Sequence, residues 1–218
     1  MAFPEDFRLI SFLSRLEHAV RFPLSSSYPE SMSLDTLFEL AGKEHRAPFM
    51  QTVLDYPPLR GTPELLDAIA STYKNITAQD VISFAGADEA IYASFQMLLK
   101  SGDHAVVITP NYQSLESVPL SLCDVTGVAL DEDNDWALDT GKVRDALRAN
   151  TKVLVINFPH NPTGALISRQ QLNDLIDLCR ERGIWIFSDE VYRLTEFDPA
   201  DRLPQLADVY ERGISLNV

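Results

Sequence analysis

The chain has 218 residues, enough for one substantial α/β domain or for one domain with an appendage. Its net charge of −14 at pH 7 argues against nucleic acid and anionic membranes as partners, because both select basic surfaces. The apolar runs are far shorter than the roughly 20 residues of a membrane span, and no signal-like segment is visible at the N-terminus, so we expect a cytoplasmic protein.

Two helices are predicted in an N-terminal arm that comprises residues 1–50. An apolar stripe at helical spacing predicts the first helix over residues 4–22, and Pro23 ends it. The second helix is predicted over residues 33–41, where Gly42 supplies the C-terminal stop. This segment is interpreted as an arm or a small subdomain, not as a layer of a sheet.

From residue 51 onward, helical and strand patterns alternate. Thr62-Pro63-Glu64 is a helix start, with a cap, a proline in the first turn and an acid. The predicted strands are residues 81–84, 105–108, 126–130, 153–156, 184–187 and 214–218. Helices are predicted between them at residues 88–100, 114–122, 142–149 and 168–183. The alternation predicts an α/β domain over residues 51–218, with a mostly parallel sheet flanked by helices.

Two polar motifs follow predicted strands directly. Asn-Pro-Thr-Gly at residues 161–164 comes after the strand at 153–156, and Ser-Asp-Glu-Val-Tyr at residues 188–192 comes after the strand at 184–187. Ligands of open α/β sheets bind at the carboxyl ends of the strands. An asparagine, an acid and a tyrosine at that edge suit an aromatic cofactor rich in heteroatoms. The four histidines of the chain have no metal-ligand spacing, so no metal site is expected.

These two motifs, with Gly-Ala-Asp-Glu-Ala at residues 86–90 and Pro-Asn-Tyr at residues 110–112, resemble those of class I/II aminotransferases. These are the fold type I pyridoxal-phosphate enzymes. The resemblance covers essentially the whole chain and is strongest from Tyr56 to Tyr192. It implies the fold type I large domain, pyridoxal 5′-phosphate as cofactor, amino acid and 2-oxo acid substrates, and a homodimer.

The resemblance also implies roles for single residues on the cofactor ring. Asp189 matches the carboxylate that keeps the pyridine nitrogen protonated, since a nearby negative charge raises the pKa of a pyridinium. Asn161 and Tyr192 match the donors to the phenolic oxygen. Tyr112 matches the aromatic side chain that stacks on the pyridine face.

The cofactor phosphate is expected at the start of the helix over residues 88–100, where backbone N–H groups can bind it. Gly86, Ala87 and Asp88 match the family's phosphate cup, and the Asp88 side chain is expected to cap the helix and point away. Tyr56 matches a tyrosine that reaches the partner's phosphate across a dimer. Each of these residues also has a structural interpretation when taken singly, such as a cap, a turn or a core tyrosine.

One departure from the family concerns the Schiff-base lysine. Family members carry it in a Ser-x-x-Lys segment shortly after a strand like that at residues 214–218, with a substrate-binding arginine further on. The chain contains neither, and its five lysines lie elsewhere. No catalytic residue is therefore assigned, and we expect the chain alone to be inactive.

Two alternatives to an aminotransferase remain open. One is another fold type I enzyme, such as a C–S lyase, a decarboxylase or a cyclase, because reaction choice is set by substrate alignment and not by the residues above. The other is a non-catalytic split or degenerate fragment. A Rossmann dehydrogenase is disfavoured, since no Gly-x-Gly-x-x-Gly follows the first predicted strand.

Overall fold

A computed structural model describes residues 6–16, 19–22, 24, 27 and 29–218. The helices of these residues are α1 (Arg8–Leu16), α2 (Leu34–Ala41), α3 (Arg46–Met50), α4 (Pro63–Ala70), α5 (Ala87–Leu98), α6 (Ser114–Leu122), α7 (Thr140–Ala146), α8 (Arg169–Arg182) and α9 (Leu206–Val209). The strands are β1 (His104–Thr109), β2 (Asp124–Ala129), β3 (Thr151–Asn157), β4 (Trp185–Asp189) and β5 (Gly213–Leu216).

The chain divides into two compact units. One is residues 8–59, which hold α1 to α3, and the other is residues 60–218 together with residues 6–7, which hold the sheet and the remaining helices. The functional division into an arm over residues 1–50 and a cofactor-binding domain over residues 51–218 stays a prediction.

The larger unit is built on a parallel sheet with the strand order β2-β1-β3-β4-β5. Every pairing in it is parallel, as the alternating pattern predicts. The central strands β1, β3 and β4 arise from short apolar runs that are buried on both faces of the sheet, whereas β2 at the edge has a single buried residue. The α/β prediction is thus confirmed for this unit.

Helices cover both faces of the sheet. On one face Leu154 and Ile186 pack in a cluster with residues of α8, and both are 0% exposed. On the other face Phe187 packs against Phe95 of α5, with ring centroids 4.9 Å apart. Burying each such side chain contributes roughly 1.5–3 kcal/mol relative to exposure, so the two apolar layers hold the sheet and fix which strand residues reach its carboxyl edge.

The predicted helix starts and stops are confirmed at α4 and α8. Thr62 Oγ1 accepts the Leu65 N–H at 3.3 Å at the start of α4. At the start of α8 the Ser168 hydroxyl accepts the Gln171 N–H at 3.1 Å, and the Gln171 side chain accepts the Ser168 N–H at 2.9 Å. Gly183 ends α8 with a φ of 67°, a conformation that favours glycine.

The predicted strand at residues 81–84 is wrong. Val81 has extended backbone angles, but no strand pairs with this segment in the described part of the chain. Its contact is with Arg60, whose carbonyl accepts the Ser83 N–H and the Ser83 hydroxyl, each at 2.9 Å. An apolar run becomes a strand only when a neighbour completes its ladder, and Ile82 is 54% exposed.

The helix predicted over residues 4–22 is shorter in the structure. It begins at Arg8 and ends at Leu16, where the Ala19 N–H donates to the Leu16 carbonyl in a closing turn. Residues 4, 5, 17 and 18 lie outside the described part of the chain, as does Pro23. No residue of α1 is buried in the described structure, so its apolar stripe lacks the packing that would extend a helix.

The unit of residues 8–59 has a small aromatic contact of its own. Phe38 of α2 is buried and lies edge-on to Phe49 of α3, with ring centroids 5.4 Å apart. Arg46 forms an ion pair with Asp35 beside it. The second predicted helix is confirmed as α2, capped by Ser33.

Among the described helices, none has the length and apolar character needed to cross a membrane.

A buried histidine joins three strands at the amino end of the sheet. His104 is 0% exposed, with Nδ1 2.7 Å from Thr151 Oγ1 and Nε2 2.9 Å from Thr126 Oγ1. A neutral imidazole has one donor and one acceptor nitrogen, and two hydroxyls can match both. Burial lowers the pKa of His104, the Arg148 charge adds to this, and Asp124 opposes it.

We predict that this histidine makes stability depend on pH. Below about 6.5 the unfolded chain takes up a proton on His104 that the folded chain resists, so the contribution of His104 to the free energy of unfolding should fall with decreasing pH. His104→Leu should remove this contribution, so that between pH 7 and 5 the free energy of unfolding of the variant falls less, or rises more, than that of the wild type in urea titrations. Equal slopes for wild type and His104→Leu would contradict the assignment. If His104→Leu does not fold, an NMR titration of the His104 ring in the wild-type chain tests whether its pKa is lowered.

Candidate functional site

Three adjacent strands deliver the predicted site residues to one edge of the sheet. Tyr112 follows β1, Asn161 follows β3 and Asp189 ends β4, and these strands are neighbours in the order β1-β3-β4. Because the strands are parallel, their carboxyl ends share an edge. In the β3–β4 register, Asn157 lies opposite Asp189.

Asp189 is a buried carboxyl at that edge, with 4% of its surface exposed. Its Oδ1 accepts the Val191 N–H at 3.1 Å, and the described residues give no donor to its other oxygen. Burial raises the pKa of Asp189 to about 6, the bond from Val191 partly offsets this, and the Asp88 charge adds to it. The site thus holds a carboxyl with one free oxygen and a reduced tendency to ionise.

Asn157 ties Asp189 to Asn161 and was not predicted as a site residue. Its Nδ2 donates to the Asp189 carbonyl at 2.9 Å, while its Oδ1 accepts the Asn161 N–H at 3.0 Å. It is 3% exposed. The sequence did carry a signal, a polar amide at the end of an apolar strand. Burying such a side chain without hydrogen-bond partners would lower the stability of the fold.

The first turn of α5 leaves backbone N–H groups without a side-chain cap. Its N-cap is Gly86, whose φ of 145° favours glycine, and no side chain caps the helix there. The Ala85 N–H is bound by Glu89 Oε2 at 2.7 Å. The N–H groups of Ala87 and Asp88, at the positive end of the helix dipole, form a site suited to an anion.

The Asp88 side chain does not cap α5, so that expectation is wrong. It accepts hydrogen bonds from the Tyr112 hydroxyl at 3.2 Å and from the Ser114 hydroxyl. Both donors lie after β1, so the carboxylate binds that segment and not the N–H groups of its own helix.

Tyr112 is half-buried beside this carboxylate. Burial raises its pKa to about 12, and the Asp88 charge adds to the effect. The Phe7 ring lies edge-on to it, with centroids 5.0 Å apart and an interplanar angle of 80°. The tyrosine therefore stays a neutral donor and is held at both its ring and its hydroxyl.

The side chains of Tyr192 and Tyr56 are less firmly held than that of Tyr112. Tyr192 is half-buried in the turn after β4, where its carbonyl accepts the Thr195 hydroxyl at 2.6 Å, and its phenol has no hydrogen bond within the described residues. Tyr56 belongs to the unit of residues 8–59 and its side chain is fully exposed. The site roles of both tyrosines stay predictions.

Glu190, the acid next to Asp189, is engaged by a different part of the fold. Its Oε1 accepts the Leu206 N–H and the Ser215 hydroxyl, each at 2.9 Å, which ties β4 to α9 and β5. Burial raises the pKa of Glu190, although these donors and others oppose it. This acid supports the sheet through Oε1, and its Oε2 is buried without a hydrogen bond within the described residues.

Comparison with known proteins identifies relatives for most of the chain. Residues 23–215 match the family described as aminotransferase class I and II. Aspartate aminotransferase of Pyrococcus horikoshii is 31% identical over 168 residues, which cover 74% of this chain and 43% of that protein. Arginine–pyruvate transaminase of Pseudomonas aeruginosa is 32% identical over 182 residues, covering 74% of this chain and 46% of that protein.

Solved structures agree with these sequence matches. A PLP-dependent aminotransferase from Streptococcus suis superposes with a TM-score of 0.91 at 30% identity, over 98% of this chain and 57% of that one. N-succinyldiaminopimelate aminotransferase from Mycobacterium tuberculosis gives a TM-score of 0.82 at 27% identity, over 96% of this chain and 56% of that one. The chain thus spans 43% and 46% of the two curated relatives, and its architecture is that of the corresponding part of the fold type I large domain. The resemblance inferred from the motifs is confirmed: the chain belongs to the class I and II aminotransferases.

Proposed function

We propose that this chain forms the cofactor-binding part of an enzyme that moves an amino group from an amino acid to a 2-oxo acid with pyridoxal 5′-phosphate. Membership of the family supports the reaction class. The buried Asp189 carboxyl, with one oxygen free at the edge of the sheet, carries the cofactor assignment. Because the chain spans only part of its relatives, the activity and substrates are proposed for the whole protein.

The described residues fit the chemical groups of the cofactor. The uncapped N–H groups of Ala87 and Asp88 would bind the phosphate, and Gly86 allows the main chain to turn there. The free oxygen of Asp189 would accept a hydrogen bond from the protonated pyridine nitrogen. When bound, pyridoxal phosphate supplies an electron sink for the substrate's α-carbon.

The role proposed for Asp189 is to hold a proton on the pyridine nitrogen. In the free chain burial disfavours the charged carboxylate. A cationic partner next to it would reverse that preference, because paired opposite charges both favour their ionised forms. Burial at 4% exposure also keeps water from competing for the bond.

Asn161, Tyr192 and Tyr112 would orient the ring. The Asn161 side chain makes no hydrogen bond within the described residues while its main chain is fixed by Asn157, so its amide is available to donate to the phenolic oxygen. The Tyr192 phenol would be a second donor. Tyr112, with its hydroxyl held by Asp88, would stack on the pyridine face.

We further propose a cytoplasmic homodimer in which Tyr56 reaches the partner's phosphate cup at residues 86–88. The motif match at Tyr56 and its full exposure support this role. The C–S lyase, decarboxylase and cyclase alternatives would use the same cofactor contacts. The relatives named above are aminotransferases, which favours amino-group transfer over these and over a non-catalytic fragment.

The raised pKa of Asp189 leads to a prediction about stability. An acid whose folded pKa is raised stabilises the fold below its unfolded pKa, about 3.9, and loses that contribution as pH rises through the folded value of about 6. Asp189→Asn should therefore stabilise the chain at pH 7 by on the order of 2 kcal/mol and have little effect at pH 4. Urea unfolding at both pH values measures this. Exposed Asp67→Asn is the control, and equal effects of Asp189→Asn at both pH values would refute the account.

A second prediction concerns cofactor binding by the chain alone. It should bind pyridoxal 5′-phosphate reversibly, without a borohydride-stable adduct at a single lysine, because its five lysines are all exposed and lie outside the loops of the site. Asp189→Asn should weaken binding about tenfold or more through loss of a charge-assisted hydrogen bond, while Asp67→Asn should not. Absorbance titration and mass spectrometry of reduced samples are the measurements.

Two results would overturn the proposal in different ways. Equal affinity of wild type and Asp189→Asn would remove Asp189 from the site. A trapped adduct at one lysine together with multiple-turnover transamination would show that a lysine of this chain serves as the covalent partner, so that the chain is not inactive alone.

A further inference from the structure

Residues 6 and 7 precede α1 and lie against the loop that follows β1. They group with the sheet, whereas residues 8–59 form the other unit. The Gln113 side chain donates from Nε2 to the Asp6 carbonyl at 2.9 Å. The half-buried Phe7 ring lies edge-on to the Tyr112 ring, with centroids 5.0 Å apart and an interplanar angle of 80°. Two consecutive residues of the N-terminal segment thus contact two consecutive residues of a loop of the proposed site.

Hydrogen bonds hold Tyr112 at two points. Its hydroxyl donates to Asp88 Oδ2 at 3.2 Å, and its carbonyl accepts the Leu115 N–H at 2.9 Å. The hydroxyl oxygen lies on the χ2 axis, which runs from Cβ through the ring to that oxygen. Rotation about χ2 therefore turns the plane of the ring without moving the oxygen, and the χ2 minima of tyrosine are broad. These hydrogen bonds fix the direction of the side chain but not the plane of its ring.

The contact with Phe7 restrains the plane of the Tyr112 ring. Aromatic pairs favour edge-to-face geometry at centroid distances of about 4.5–7 Å, and the two rings fall within that range. The apolar cluster between α5 and the sheet supports the Tyr112 side chain from inside, and Phe7 adds a contact from the N-terminal segment. A flat side chain packed against the ring resists its rotation about χ2, which a hydrogen bond on the axis cannot do.

The plane of this ring matters for the role proposed for Tyr112. Stacking on a flat pyridine requires the two ring planes to be nearly parallel. If the Tyr112 ring turned freely, binding would have to order it and would be weakened by that cost. A plane that is set before binding removes the cost.

We propose that Phe7 is a positioning residue whose ring sets the plane in which Tyr112 stacks on the cofactor. This inference rests on the proposed function. It assigns Phe7 no contact with the cofactor, so the loss of Phe7 should act only through Tyr112. The N-terminal segment then takes part in the site through residues 6 and 7, although both were predicted as part of an arm outside the cofactor-binding domain.

The test uses pyridoxamine 5′-phosphate, which has no aldehyde to react with lysines. Titration gives its affinity, and the induced circular dichroism of its pyridine band reports how rigidly the ring is held. Phe7→Ala should weaken binding about threefold and reduce the induced signal, and Tyr112→Leu should weaken binding about tenfold. The double variant should bind like Tyr112→Leu alone, because residues that act through one contact are not additive.

Further variants separate the ring geometry of Phe7 from its apolar volume. Phe7→Tyr keeps the flat ring and should retain the affinity and the induced signal of the wild type. Phe7→Leu restores apolar volume without a ring and should stay impaired in both. Phe12→Ala is the matched control, because Phe12 is 60% exposed in α1 and belongs to the other unit. It should change neither measurement.

The outcomes distinguish this inference from the proposed function. If Phe7→Ala binds the probe as tightly as the wild type or more tightly, or if its effect adds to that of Tyr112→Leu, the inference is wrong. If the wild type does not bind the probe, the proposed function fails.

The positioning claim is also tested in the free chain, by aromatic carbon relaxation of Tyr112. Rotation about χ2 moves the ring Cδ–H and Cε–H bonds but not the Cα–H bond. Phe7→Ala should therefore lower the order parameters of the Tyr112 ring bonds and leave that of its Cα–H bond unchanged. Unchanged ring order parameters, or an equal loss at all of these bonds, would overturn the claim whether or not the chain binds the probe.

Discussion

The Asn157 side chain holds together the two strand ends on which the proposed site depends. Its two polar atoms are both used, one on the Asp189 carbonyl and one on the Asn161 N–H. Each bond is worth about 1 kcal/mol net, but in a buried position an unmade partner costs more. Aspartate would lose the donor and leucine would lose both bonds, so the geometry of β3 and β4 at this edge requires an amide.

The neighbouring acids Asp189 and Glu190 show how one motif serves both stability and function. Two donors bind Oε1 of Glu190 and join β4 to α9 and β5, whereas its Oε2 is buried without a hydrogen bond within the described residues. Asp189 has a donor on Oδ1 alone within the described residues and a raised pKa. A buried carboxyl left short of partners lowers stability unless something binds it. Asp189 differs from Glu190 in its place, because it ends β4 at the sheet edge that also carries Tyr112 and Asn161, where a cationic ligand could bind its free oxygen.

The sequence predicted the parallel sheet and the loops at its carboxyl edge. Strands buried on both faces are continuous apolar runs, and such runs can be recognised without knowing which strands they pair with. It did not predict that residues 81–84 lack a ladder, since strand formation depends on a neighbour distant in sequence. Nor did it predict the contacts of Asp88, whose partners lie 24 and 26 residues away. Asn157 was missed because the role of an interior polar residue is visible only from its hydrogen-bond partners.

Asp189 is proposed to pair with a cationic ligand, and carboxyl-carbon NMR of this residue detects such pairing through its pKa. The titration is run on the free chain and on the chain saturated with pyridoxal 5′-phosphate. We expect a pKa of about 6 for Asp189 in the free chain and a marked fall of this pKa on binding, because a pyridinium nearby favours the carboxylate. A pKa that stays unchanged when the cofactor is bound would contradict the account.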